Sequence, residues 1–212
     1  MTHMLDELVK VFDDFTKKSR IQELETFSRE HGIPFKRKMS YEKRPTKLKG
    51  FKPFIKKGTK RMIGVMEVTP TQFEGEIKFY DFLRTRDLET KSQSTIEVYC
   101  KELDSPYCMV SPKSAFKKMK NIFVTEEMEL PFISEFQNKY YISEDTEDTF
   151  ILRPSVMELM ADYKGLTLEA KGDYLLLYYK NKEIKVHQVL EHLKLVEELV
   201  ALICYDDSED YV

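Results

Sequence analysis

The sequence predicts an α+β fold, a mostly antiparallel sheet with helices packed on it, preceded by an N-terminal helical segment. Three runs rich in β-branched and aromatic residues, RMIGVMEV, EIKFYDFLRTR and STIEVYCKEL, follow one another at short intervals, and strands this close in sequence pair as an antiparallel meander. Two further runs, LTLEAK and YLLLYYK, flank Gly172-Asp173, a dipeptide suited to a tight hairpin turn. Residues 187–203 place Val189, Leu190, Leu193, Val196, Leu199, Val200 and Ile203 at helical spacing, an apolar stripe able to cover a sheet.

From the N-terminus, Leu5, Leu8, Val11, Phe12 and Phe15, then Ile21, Leu24 and Phe27, recur with helical period. They predict one long helix, or two joined near residues 17–19, stopped by Gly32 ahead of Pro34. Residues 34–60 read as a basic loop, because Pro45, Gly50, Pro53 and Gly58 interrupt any periodic pattern. Strands follow over 61–68, 76–86 and 94–103. Ser111 before Pro112 predicts the cap and first position of a short helix, and residues 121–124 and 139–143 predict short strands. Pro154 opens a helix that buries Val156, Met157, Met160 and Tyr163 and stops at Gly165. In the last strand Tyr174, Leu176 and Tyr178 share one face and Leu175, Leu177 and Tyr179 the other, so both faces are apolar and the strand is expected to be central or covered by helices on both faces. The expected organisation is a helical segment at 1–33, a basic loop at 34–60, an α+β core domain at 61–205 and an acidic tail at 206–212.

A chain of 212 residues with 42% hydrophobic and 12% aromatic content can bury one sizeable core. Lacking an apolar run long enough to span a bilayer or an apolar leader, it reads as cytoplasmic. Cys100, Cys108 and Cys204 are an odd number with no CxxC pair, which suits a reducing compartment better than a disulfide framework.

Residues 136–160, FQNKYYISEDTEDTFILRPSVMELM, carry an F-x-x-x-F/Y-x-V/I element on Phe136, Tyr140 and Ile142. A few acids later comes an L-x-P-x-x-M-x-x-L-like element on Leu152, Pro154, Met157 and Met160. With the hairpin at 166–180 and the earlier pair TKRMIGVMEV and IKFYDF, this pattern resembles a bacterial domain family of unknown function over about residues 27–203. Members of that family are often membrane-anchored; this chain departs in having no such helices. The resemblance implies no catalytic residues, and every matched residue is of a type that packs a core.

The charge distribution is the strongest anomaly. Between residues 36 and 61 twelve bases (Lys36, Arg37, Lys38, Lys43, Arg44, Lys47, Lys49, Lys52, Lys56, Lys57, Lys60 and Arg61) face one acid, Glu42, a local charge of +11; the formal total of -3 leaves -14 on the rest. Such a segment attracts anionic surfaces. The expected docking set is Lys47, Lys49, Phe51, Lys52, Phe54, Lys56, Lys57, Lys60 and Arg61. The preferred partner is an anionic membrane surface, which the lysines attract and which Phe51, Phe54 and Ile55 enter, placing the protein at the inner face of a membrane. The alternatives are nucleic acid, with Phe35, Tyr41, Phe51 or Phe54 stacking on bases, an acidic protein, or the chain's own acidic surface.

Other chemistry finds no support in the sequence. The glycines of 50–60 stand eight apart and Thr59-Lys60 reverses the order a phosphate loop needs. His187 and His192 are five apart and fall on different sides of a helix, so they read as surface or cap-proximal. Cys100 and Cys108 suggest a pair across neighbouring strands, but no positioned base accompanies them. The acids at 144–148 lack the glycine and final glutamate of a calcium loop. No cofactor, metal or catalytic residue is expected, and the remaining alternative is an enzyme whose site assembles only in the fold.

Overall fold

Both faces of an eight-stranded antiparallel sheet are covered, one by helices and the other by the basic segment. A computed structural model describes residues 17–113, 136, 138–144 and 153–205. The elements run α1 (Lys18–Glu30), β1 (Phe35–Met39), two 3₁₀ turns (Tyr41–Lys43 and Thr46–Gly50), α2 (Lys52–Ile55), β2 (Thr59–Val68), β3 (Gly75–Arg86), β4 (Glu89–Cys100), β5 (Ser105–Pro112), β6 (Tyr140–Glu144), α3 (Pro154–Asp162), β7 (Leu166–Gly172), β8 (Tyr174–Tyr179), a 3₁₀ turn (Val186–Gln188) and α4 (Val189–Tyr205). The strand order is β1-β2-β3-β4-β8-β7-β5-β6, so β8 is central, as its two apolar faces require.

Alternation along each strand sorts the core into two layers. Ile77 and Phe79 of β3, Ile96 and Val98 of β4, and Leu175 and Leu177 of β8 meet Leu24 and Phe27 of α1, Met157 and Met160 of α3, and Val196 and Leu199 of α4. On the opposite face, Tyr80 and Phe82 of β3 and Leu176 and Tyr178 of β8 meet Leu48, Phe51 and Phe54.

Residues 34–60, expected as a loop, therefore contain an outer strand, two 3₁₀ turns and a short helix. Three apolar side chains spaced three residues apart, Leu48, Phe51 and Phe54, anchor them. Ser111 and Pro112 belong to β5 and start no helix there: Ser111 pairs with Tyr141 and Pro112 with Tyr140. Proline is tolerated in this strand because it is the last residue. The expected helix residues from 114 onward, the strand at 121–124, the helical pattern before residue 17, the acids at 145–148 and the tail lie outside the described residues.

Gly64 adjusts the sheet to the first helix. Between Ile63 and Met66 the pairing of β2 with β3 slips by one residue, a bulge that admits one extra residue. Gly64 has φ 60°, and a Cβ there would lie 2.5 Å from Leu24 Cδ1. Only glycine meets both conditions without strain. Gly64→Ala is expected to lower stability by about 1–3 kcal/mol in denaturant unfolding, and by less when introduced into a Leu24→Ala background than into the natural chain.

Candidate anion-docking surface

The basic segment is held to the sheet by two buried carboxylates. Arg44, itself buried, forms an ion pair with Glu97 of β4, donates from Nη2 to the Tyr80 hydroxyl at 2.7 Å and places its guanidinium 4.1 Å from the Phe54 ring centre. Tyr80 in turn donates to Glu97 at 3.0 Å. Burial pushes the Tyr80 hydroxyl up to about 12, against the opposing pull of Arg44, so it remains a donor.

The second anchor is Glu169 of β7. Its Oε2 accepts the backbone N–H of Lys52 at 2.9 Å and its Oε1 accepts the Tyr178 hydroxyl at 2.5 Å. Burial raises the Glu169 carboxyl above its ordinary 4.5, and those two hydrogen bonds pull it back only in part.

These anchors decide where the expected docking residues go. Phe51 and Phe54 are 0% and 1% exposed. They form the second core and are closed to any membrane, because an eight-stranded sheet with an apolar second face must be covered. Lys47 is exposed and bonds Asp173 at 2.8 Å, beside the β7–β8 turn. The side chain of Lys52 is half-buried and its backbone is spent on Glu169. Lys60 turns its ammonium to the Phe54 carbonyl and lies 5.0 Å from the centre of the Tyr41 ring. Arg61 is half-buried in β2. Lys49, Lys56 and Lys57 are exposed.

The fold adds cations that no run in the sequence announces. Lys56 is held below its usual value first by partial burial, then by the charges of Lys180, Arg84 and Lys91 against the opposing pull of Glu169, and Lys60 is lowered by partial burial and then by Arg84. Arg84 Nη1 donates to the Lys57 carbonyl at 3.2 Å. The end of β3, the start of β4, the end of β8 and the lysines leading into β2 thus bring several cations to one end of the sheet, where Asp87 and Glu89 pair with Arg86 at 3.0 Å and with Lys91 at 3.3 Å. There, too, stand the exposed large hydrophobics found among the described residues, Ile55 at 62% and Leu88 at 50%. Ile55 precedes Lys56, and Leu88 forms the tip of the β3–β4 hairpin.

That tip is a two-residue turn, with Asp87 at φ 50° and Leu88 at φ 64° between the paired Arg86 and Glu89. Such a turn favours Asn and Gly at both positions, and a leucine there costs about 1–2 kcal/mol. The sequence offered a clue in DLE between two strand-like runs.

His192 is buried, not on the surface: its Nε2 lies 3.1 Å from the Tyr179 hydroxyl and its Nδ1 2.8 Å from the Gln188 carbonyl. Cys108 is not the neighbour of Cys100; Cys204 of α4 is, with sulfurs 3.6 Å apart. No group of three or more potential metal ligands occurs among the described residues. Among them, too, no helix is long and apolar enough to cross a membrane.

Two predictions follow the anchors. Arg44→Ala, which leaves Glu97 buried without its cation, is expected to cost about 3–5 kcal/mol and to speed amide exchange across residues 46–55. Because native Glu169 holds its proton to higher pH than the unfolded chain does, its contribution to stability falls as pH rises above about 4.5. The stability of Glu169→Gln relative to the natural protein should therefore grow between pH 4 and 7, read from urea midpoints; parallel pH profiles would contradict the burial argument.

No protein-family model and no curated protein matches the chain. Among solved structures it is similar to the crystal structure of the mycobacterial trehalose monomycolate transport factor A, TtfA, with a TM-score of 0.58 and 9% sequence identity over 88% of this chain and 95% of that one, a likeness of fold.

Proposed function

We propose that this chain is a cytoplasmic, non-enzymatic binding domain that docks on the anionic inner face of a membrane through the cationic end of its sheet. The contact consists of Lys56, Lys57, Arg84, Lys91 and Lys180 around the apolar tips Ile55 and Leu88. The observation that carries this reading is Leu88: an exposed leucine kept on left-handed backbone, where a polar turn residue would be more stable, at the end of the sheet that also carries Lys56, Lys57 and Arg84, although its own neighbours Asp87 and Glu89 are acids paired with Arg86 and Lys91. A local sacrifice of stability at a surface tip is the mark of a contact site. Each Lys or Arg near an anionic bilayer contributes about 1 kcal/mol, and two aliphatic tips add a short-range apolar term. Nucleic acid is the weaker fit, since Phe51 and Phe54, the side chains best placed to stack on bases, are internal.

Co-sedimentation with vesicles tests this. Binding to vesicles containing phosphatidylserine, none to neutral phosphatidylcholine, and loss at high salt are expected. Lys56→Glu with Lys57→Glu should abolish binding. Leu88→Asn should weaken vesicle binding several-fold while raising the thermal midpoint, a combination that a merely structural leucine would not give. Displacement by a single-stranded oligonucleotide would move the assignment to nucleic acid.

A further inference from the structure

Cys100 and Cys204 stand 104 positions apart in the chain, yet their sulfurs lie 3.6 Å from each other. Cys100 is the last residue of β4 and is fully buried, while Cys204, in the last turn of α4, is partly exposed. Both are free thiols. The two differ in what surrounds them. Cys100 Sγ lies 3.3 Å from Glu102 Oε2, a carboxylate that disfavours a thiolate at either cysteine. Cys204 lies at a helix end whose carbonyls are tied down by Arg153: its Nη1 donates to Leu202 at 2.9 Å and to Ile203 at 3.1 Å. The contact between the two sulfurs lowers the Cys204 thiol, with help from Arg153 and against burial and the Glu102 carboxylate, and raises that of Cys100.

We propose that Cys100 and Cys204 form a reversible disulfide that latches the C-terminal helix to the end of β4, with Cys204 as the attacking thiol and Cys100 as the resolving one. The oxidant is a small-molecule disulfide of the glutathione class. The Cys204 thiolate attacks one sulfur of the oxidised tripeptide, forming a mixed disulfide and releasing one thiolate, which takes up a proton. Cys100 then loses its proton to solvent and attacks the Cys204 sulfur, expelling the second tripeptide thiolate. Two protein thiols are oxidised and one small disulfide is reduced to two thiols. Accessibility sets the order, since only Cys204 reaches solvent, and proximity sets the second step. The sulfurs, 3.6 Å apart, stand within reach of the bonded distance of about 2.05 Å. The buried Cys108, with Ser105 Oγ 3.7 Å from its sulfur, takes no part.

The experiment treats the full-length native chain with oxidised glutathione and reads intact mass and peptide maps. The expected product has lost about 2 Da, the two hydrogens of the thiols, joins the Cys100 and Cys204 peptides, melts several degrees higher and returns to the starting mass with reductant. Cys100→Ser should stop at a stable glutathione adduct on Cys204; Cys204→Ser should not react. A stable adduct on the unmutated chain, a bond that uses Cys108, or unmodified thiols after prolonged exposure would each overturn the latch.

Discussion

The Arg44–Glu97 ion pair occupies the point on which the second half of the molecule depends. Taking both charges out of water is costly, and only the extra partners, the Tyr80 hydroxyl and the Phe54 ring, make the arrangement tolerable. In return the pair fixes where residues 41–55 lie. Glu169, at a different point on the same face, fixes the segment again through the Lys52 N–H. Between these anchors Leu48, Phe51 and Phe54 close the apolar face of β3 and β8. Without that cover, an aromatic and aliphatic surface would face water. The positive charge of the segment is therefore in part an internal fastening, with carboxylates on β4 and β7 as its counterparts.

The same construction decides which charges are left for the outside. Those at one end of the strap are paired locally, as Lys47 is with Asp173. At the other end Lys56 feels the like charges of Lys180, Arg84 and Lys91, against the opposing pull of Glu169, while Asp87 and Glu89 pair with Arg86 and Lys91. Crowded cations raise the free energy of the isolated protein and lower it when an anionic surface arrives, which is how such a patch gains selectivity. A second strain of this kind, backbone and not electrostatic, sits beside it at Leu88.

The parts of this architecture that announce themselves in the sequence are those where one physical effect dominates. Period-two runs of β-branched and aromatic residues mark β2, β3, β4, β7 and β8; Gly172-Asp173 marks a hairpin; the apolar stripe of α4 marks a helix. The strap escaped because its apolar residues are few and its lysines many, so that burial of Leu48, Phe51 and Phe54 looked like interruption of a polar loop. Strand β5 escaped because Ser111-Pro112 imitates a helix start. For the docking surface, Lys56 and Lys57 were visible as part of a run. Arg84, Lys91 and Lys180, scattered among strand residues, acquire meaning only when β3, β4 and β8 lie side by side. The partner of Cys100 was hidden for the same reason.

Strand β1 has a further consequence. It lies at one end of the strand order in the described sheet, pairing with β2 alone, and its sequence FKRKM is exposed at Lys36, Arg37 and Lys38. An outer strand offers its unpaired backbone groups to any other extended chain, and lysines along it deter such additions by repulsion. Lys36 and Arg37 are tethered to Glu67 and Glu25, which holds the guard in place. Charged side chains along an outer strand work against its extension by a second copy, so this part of the basic segment has a physical role that needs no ligand.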